Sequence, residues 1–420
     1  SVVNRRGQTT EYDRDALGRV SREITPDGEE IDYSIDDRGN LVTITDAQGI
    51  TRFEYDSNER LRKITYPNDR FLSFGYDIFG RRIQTADHTG FTVNYTYDSA
   101  GRLGTVTDAS DNLIIAYTYD TRGFLIREDR GNGTYATVDR DLTGRVVKVV
   151  HHRPGGTVNS YFDYTYDPLG RVATMSTQSG QWTYEHDTTD QLVRAVFEST
   201  DPAIASQDLA YEYDAAGNRV RTVFNGATSD YQVNSLNQYR AIGAQTCTYD
   251  RAGNLTSRTD GDRKFDFEYD HQDRLIKAVT PEGTWEYEYD ALGNRSAVIY
   301  DGERTEYLAD PLTLGAVVGE FTAGGEVVAQ HAYGLGLACR IDESGELYFD
   351  YDALGSTAGL TDPEGNYVNR YAYLPFGGKL DSVVTRANPH QFGGRYGLVE
   401  DGTNLVWMRA RSYDPSLGRF

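Results

Sequence analysis

The sequence predicts an all-β protein in which tandem β-hairpins line up into one curved sheet. Three observations predict it. A Tyr-Asp-x-x-Gly motif recurs at Tyr76, Tyr97, Tyr119, Tyr166, Tyr213, Tyr249, Tyr289 and Tyr351, with a period of 20 to 22 residues where copies are adjacent. The residues before each aspartate alternate, as in Tyr95-Thr-Tyr97, Tyr164-Thr-Tyr166 and Tyr287-Glu-Tyr289. Helical periodicity is hard to find, and β-branched residues interrupted by frequent glycine make poor helices.

Each part of the repeat has a mechanical reading. Alternation of aromatic with β-branched or charged residues is the period of a strand, with both tyrosines on one face. The aspartate then opens a turn, where its carboxylate accepts turn N–H groups. The glycine three residues later takes a conformation that a side chain resists. Tyr97, Asp98 and Gly101, Tyr213, Asp214 and Gly217, and Tyr289, Asp290 and Gly293 represent this turn signature. Arg or Asn and then an aliphatic residue start the return strand, and the arginine is expected to pair with carboxylates of neighbouring repeats. A second turn closes the unit, marked by Pro26-Asp27-Gly28, Asp46–Gly49 and Pro281-Glu282-Gly283. Weaker copies of the first turn stand at 35–41, 55–61, 140–146, 186–192, 233–239 and 269–275.

About 15 such hairpins make roughly 30 strands, and at ~4.8 Å per strand the sheet is on the order of 140 Å wide. Closed as a single ring it would exceed ~40 Å in diameter, too wide for side chains to fill. Propeller blades need about 40 residues, twice the period seen. A continuous wall coiling on itself remains, with one face turned to a cavity or a second layer.

Composition narrows the function. Lys plus Arg is 42 and Asp plus Glu is 64 in 420 residues, a formal charge of −22. Such a surface repels a phosphate backbone, so nucleic acid is not an expected partner. No apolar run reaches the length of a membrane helix. Two cysteines, Cys247 and Cys339, exclude a disulfide framework and read equally as small buried hydrophobes or as reactive thiols. The first residue is Ser, with no leader after it, so the chain reads as a piece of something longer.

After about residue 300 the period breaks. Residues 307–330 are the most apolar stretch, residues 376–390 are glycine- and polar-rich and are expected to form a loop, and the last block ends in RARSYDPSLGRF. This divides the chain into a repeat wall, 1–300, and a second unit, 301–420.

The Tyr-Asp-x-x-Gly-Arg units resemble the YD (RHS) repeats. Residues 307–420 resemble the RHS repeat-associated core domain through YGLGL (333–337), YDALGS (351–356), LTDPEGNYVNRYAYLPFG (360–377), QFGGRYG (391–397) and WMRARSYDPSLGRF (407–420). The family includes bacterial Rhs and contact-dependent toxins, the C component of insecticidal Tc toxins, and animal teneurins. The resemblance implies a hollow shell of spiralling hairpins, with the core domain curling inward as a plug. It implies an encapsulating scaffold, secreted or at the cell surface, that shields a C-terminal toxin cargo and cooperates with a delivery or secretion component. A teneurin-like adhesion or glycan-binding module is the alternative. Many family members cleave themselves after the core domain with aspartates downstream of DPxxGRF. Those positions lie beyond Phe420, so Asp414 is not carried over as a cleavage residue. The plug signature carries over to Trp407, Arg409, Arg411, Tyr413, Asp414, Pro415, Gly418 and Arg419, which are expected to pin the terminal strand in the shell.

No catalytic residue, metal ligand or cofactor-binding residue is assigned. The repeated aspartates read as turn caps. Asp260, Asp262 and Asp266 lack the glycine and glutamate of a calcium loop. Residues 355–359 (GSTAG) lack the strand-to-helix setting of a nucleophile elbow. The seven histidines show no ligand spacing, and His151-His152, next to Pro154-Gly-Gly, read as a solvated turn.

Overall fold

The computed structural model describes residues 1–420 except Leu314. Strand accounts for 57% of the chain and helix for 1%. Every strand from Val2–Val3 to Lys379–Val384 pairs antiparallel with the next in sequence, giving one 37-stranded meander. A 3-stranded sheet follows, Val399–Glu400, Val406–Met408 and Arg411–Tyr413. The sheet passes residue 300 without a break, since Arg295–Tyr300 pairs with Glu303–Asp310. The expected loop at 376–390 is partly strand: Lys379–Val384 pairs with Tyr367–Tyr373, and the polar composition reflects an exposed last strand of this sheet.

The two faces differ. In Arg263–Tyr269, Phe265 and Phe267 are buried, whereas Lys264 and Glu268 are exposed. Gly283–Tyr289 repeats this with Trp285, Tyr287 and Tyr289 against exposed Glu286. One face is therefore aromatic and the other charged, as a wall with a single wet side requires.

Twist in the strands coils the wall, and it meets itself after 218 to 267 residues. The Asn4 side chain donates to the His271 carbonyl, 267 residues away, and Gln48 Nε2 to the Tyr289 carbonyl, 241 away. Further on, the Tyr66 hydroxyl donates to the Ala309 carbonyl at 2.7 Å and the Leu335 N–H to the Tyr117 hydroxyl at 2.9 Å. Past Glu303–Asp310 the sheet curls onto its own aromatic face. Ile44, Ile64, Leu72 and Phe74 pack with Leu308 and Phe321, and Val106, Ile114 and Tyr117 pack with Ala332, Cys339 and Tyr348. The accessible surface is 20283 Å², above the about 16,000 Å² expected of a compact monomer of this mass, as fits a coiled wall rather than a solid globule.

Candidate functional site

The repeat turn is a four-residue turn with a bulge at the tyrosine. The Asp98 N–H donates to the Arg102 carbonyl at 2.9 Å and the Gly101 N–H to the Asp98 carbonyl at 3.0 Å. Asp98 Oδ1 accepts the N–H groups of Ala100 and Arg102, each at 2.9 Å. Gly101 sits at φ 81°, a left-handed conformation that explains the glycine. The Arg102 N–H, and after it the Arg102 guanidinium, hold the Asp98 carboxyl below the usual carboxylate range. Asp214 and Gly217 repeat the geometry, with the Asn218 side chain lowering the Asp214 carboxyl. Asp290 has the same turn, but burial there pushes its carboxyl up.

The arginine that closes the turn, after the glycine or the residue in its place, pairs mainly within its own turn, not with neighbouring repeats. Arg60, Arg81, Arg102, Arg145, Arg171 and Arg274 each bind the aspartate four residues earlier. The guanidinium fork and the carboxylate are pre-positioned by one turn, so this geometry costs less side-chain entropy than reaching across hairpins. The neighbouring hairpin receives the flat face instead: Arg81 lies 4.4 Å over the Tyr97 ring, Arg102 4.5 Å over Tyr119 and Arg274 4.6 Å over Tyr289. The tyrosine hydroxyls return the contact. Tyr97 donates to the Arg82 carbonyl at 2.7 Å, Tyr213 to the Leu192 carbonyl at 2.9 Å and Tyr289 to the Leu275 carbonyl at 2.7 Å.

The terminal signature lies on the aromatic face. Trp407 is buried, its indole N–H donates to the Arg409 carbonyl at 2.5 Å, and Arg295 lies 4.5 Å over its ring. Arg409, at φ 63°, donates to the Tyr396 carbonyl at 2.9 Å. Arg411 lies 4.2 Å over the Phe420 ring, and the Tyr413 hydroxyl donates to the Phe376 carbonyl at 3.0 Å. Asp414 opens a Tyr-Asp turn enlarged by one residue: its N–H donates to the Arg419 carbonyl at 2.7 Å, and Gly418 stands at φ 65°. Asp414 Oδ2 accepts Arg258 Nη1 at 2.6 Å. Arg419 donates to the Asn237 carbonyl at 2.7 Å and to the Asn218 side chain, and stacks 4.3 Å over Tyr239. Pro415 lines a cavity beside this turn.

Two buried polar clusters escaped the sequence reading. His151 is not a solvated turn. It ends the strand Val146–His152, is 2% exposed, and places Nδ1 3.0 Å from Asp350 Oδ1. The Pro-Gly-Gly turn begins after it, and strand alternation turns His151 inward. Arg130 Nη2 lies 3.0 Å from the same carboxylate oxygen, and the Tyr367 hydroxyl donates to Asp350 Oδ2 at 2.6 Å. Burial opposes ionisation of Asp350, but His151 and Arg130 beside it hold the carboxyl down to about 2. The second cluster joins Glu320, His331 and His390, whose ligand-type atoms lie within 4.8 Å of one another. Arg340 Nη1 already sits there, 2.9 Å from Glu320 Oε1 and 3.3 Å from His331 Nε2. Burial pushes the His331 ring well below its ordinary value and the His390 ring down to about 4, so both are neutral near pH 7. Separations of 11 and 59 residues between these three side chains match no local motif, so only the folded chain shows them.

Geometry of this kind defines a class: a coiled sheet of Tyr-Asp hairpins whose terminal tract occupies its own aromatic face. The teneurin YD-shell family matches residues 2–138 and 162–420, and the chain belongs to that family. Among curated relatives, the tRNA3(Ser)-specific nuclease WapA of Bacillus spizizenii is 27% identical over 85% of this chain and 15% of its own length. The double-stranded DNA deaminase toxin A of Burkholderia cenocepacia is 25% identical over 97% of this chain and 28% of its own. Human Teneurin-4 is 22% identical over 98% of this chain and 19% of its own. The chain thus spans less than a third of each of these relatives. Among solved structures, TcdB2-TccC3-TEV superposes with a TM-score of 0.75 at 17% identity, covering 97% of this chain and 26% of that one.

Proposed function

We propose that this chain is a non-catalytic wall and plug within a larger secreted or surface toxin, shielding a polypeptide cargo until delivery. The observation that carries the reading is that the tract after residue 300 folds onto the aromatic face of the earlier repeats and is held there by charge. Arg82 meets Asp310 at 2.5 Å, Glu128 meets Arg395 at 2.7 Å, and Arg295 meets Asp401 at 3.0 Å. Residues 1–300 act as wall and residues 301–420 as plug, a division of packing role rather than of sheet continuity. Relatives named as a nuclease and as a deaminase toxin support a setting in which the catalytic part is a different segment from this one. The cargo is the chain's own continuation beyond Phe420, any self-cleavage belongs to that continuation, and the remaining partner is a delivery or secretion component.

Protease accessibility of the natural full-length chain tests the reading. Segments beyond Phe420 should resist a non-specific protease until denaturant unfolds the wall. Digestion of those segments at the rate of an unfolded peptide, with the wall intact, overturns it. The likeness to Teneurin-4 across nearly the whole chain favours a second reading, adhesion through the charged outer face. Saturable binding of this chain to a glycan array or to cell-surface protein, abolished by charge reversal on that face, would select it.

A further inference from the structure

Three arginines occupy one position of the repeat, the residue paired with the tyrosine across the bulge: Arg82 opposite Tyr76, Arg219 opposite Tyr213 and Arg295 opposite Tyr289. All three turn onto the aromatic face. Arg82 stacks 5.2 Å over Tyr95, Arg219 5.0 Å over Tyr211 and Arg295 4.0 Å over Tyr287. Two of them receive a carboxylate from the inward-curling tract, Asp310 on Arg82 and Asp401 on Arg295. Arg219 is 4% exposed, yet among the described residues no carboxylate lies within ion-pair distance of it.

Its surroundings are built rather than accidental. The guanidinium is sandwiched between Tyr211 and Phe376, the latter at 3.9 Å. It lines a cavity of about 520 Å³ whose charged lining is Arg258, Arg263 and Lys379 with Asp260, Glu400 and Asp414. The other cations at this cavity are matched: Arg258 holds Asp414 at 2.6 Å, Lys379 holds Glu400 at 2.9 Å, and Arg263 holds Glu282. Only Arg219 has its donors unassigned to an acid. A buried cation without a partner is costly, and a planar guanidinium held between rings presents its fork to a carboxylate.

We propose that the Arg219 cavity is a carboxylate-binding site, and that its occupant is an acidic side chain of the polypeptide held against this face. The site follows from the repeat geometry alone; the source of the carboxylate rests on the encapsulating function proposed above. The occupant completes at Arg219 the pairing that Asp310 and Asp401 complete at the equivalent positions.

The test uses this chain with isotope-labelled arginine, the Arg219 Nε–Hε signal being assigned from its loss in Arg219→Gln. The probes are a capped pentapeptide Gly-Ser-Glu-Ser-Gly, its Gln counterpart, and inorganic sulfate. The Glu peptide should shift the Arg219 signal and bind at least tenfold more tightly than the Gln peptide, and Arg219→Gln should abolish the preference. Because Arg219→Gln could perturb folding, Arg219→Lys is the second variant, expected to retain binding with a several-fold loss. No shift at Arg219 with either acid, or equal binding of the Glu and Gln peptides, overturns the site. Sulfate binding more tightly than the Glu peptide overturns the polypeptide occupant and assigns the cavity to a free inorganic anion. Failure of cargo protection with peptide binding intact would remove the encapsulating reading and leave the site standing.

Discussion

Arg295 Nη1 and Asp401 Oδ2 meet 3.0 Å apart, with the arginine side chain 1% and the aspartate 8% exposed. The pair joins a wall strand to the terminal tract 106 residues later, and Tyr287 and Trp407 cover the guanidinium. Breaking one half leaves the other buried and uncompensated. Asp401→Ala should therefore cost about 3–5 kcal/mol, read as a lower urea midpoint. Adding Arg295→Met should recover most of that loss, because the stranded charge goes with it. A double variant no more stable than Asp401→Ala would refute the electrostatic account.

The Asp98 turn should be sensitive at two points for different reasons. Gly101 stands at φ 81°, and a Cβ added there would meet only Arg81 Nη1 at 3.7 Å, an ordinary contact, so Gly101→Ala costs backbone strain and not collision, about 1–2 kcal/mol. Asp98→Ala removes the acceptor of two turn N–H groups and the partner of Arg102, and should lower the midpoint of thermal denaturation. Asp98→Asn keeps one acceptor oxygen and should fall between Asp98→Ala and the wild type in thermal denaturation.

What was legible in the sequence follows from distance along the chain. The hairpin turn spans five residues, and each of its contacts is local, so Asp98 as cap and Gly101 as left-handed residue could be read from spacing. The tyrosine alternation likewise set which side chains share a face. The Arg102 partner was misread because spacing alone does not tell an acid four residues back from one a hairpin away. The bonds between coils, such as Gln48 to Tyr289, depend on accumulated twist over 241 residues, which no local pattern encodes. His151 was misplaced for a related reason: the turn residues after it are conspicuous, whereas Asp350, which holds it inside, lies 199 positions further on.

Two adjacent aspartates on either side of Tyr351 should give opposite pH responses. Asp350, held down to about 2, contributes stability that is full above the unfolded carboxyl range and is lost as pH falls through about 4 toward 2. Asp352 is pushed up to about 6 by burial, against the N–H groups of Ser356, Leu354 and Gly355. Its native form holds a proton more tightly than the unfolded form does, so its ionisation costs stability as pH rises from about 4 through 6. Asp352→Asn should gain on the wild type by about 1–2 kcal/mol between pH 5 and 7, less than full linkage because the turn keeps some solvent contact. Asp350→Asn should instead lose about 3 kcal/mol at pH 7, because buried Arg130 loses its 3.0 Å partner and keeps only Glu128 at 3.6 Å. Urea unfolding of the three proteins from pH 2 to 8 separates the signs, Asp350 below about pH 4 and Asp352 above it; parallel curves over that whole range would contradict both assignments.

The tyrosine hydroxyls should act as pins between consecutive hairpins. Tyr97 reaches back 15 residues to the Arg82 carbonyl and Tyr213 reaches 21 residues to the Leu192 carbonyl. Each accepting residue is the one paired across the bulge with the tyrosine position of the hairpin before, Arg82 opposite Tyr76 and Leu192 opposite His186. The bulge interrupts the ladder at that residue, and the incoming hydroxyl supplies a donor there. Removing only the hydroxyl, with Tyr97→Phe or Tyr213→Phe, keeps the ring in place, and at Tyr97 the Arg81 stacked on it, and leaves the carbonyl without that donor. Each variant should cost about 1 kcal/mol. The two sites share no partner, so the double variant should lose the sum within about 0.5 kcal/mol. His186 tests the same idea by contrast, since it stands at the tyrosine position and makes no such bond among the described residues. His186→Phe should then leave stability nearly unchanged. A loss there as large as at Tyr97 would mean that the hydroxyl bond is not what carries the connection between hairpins.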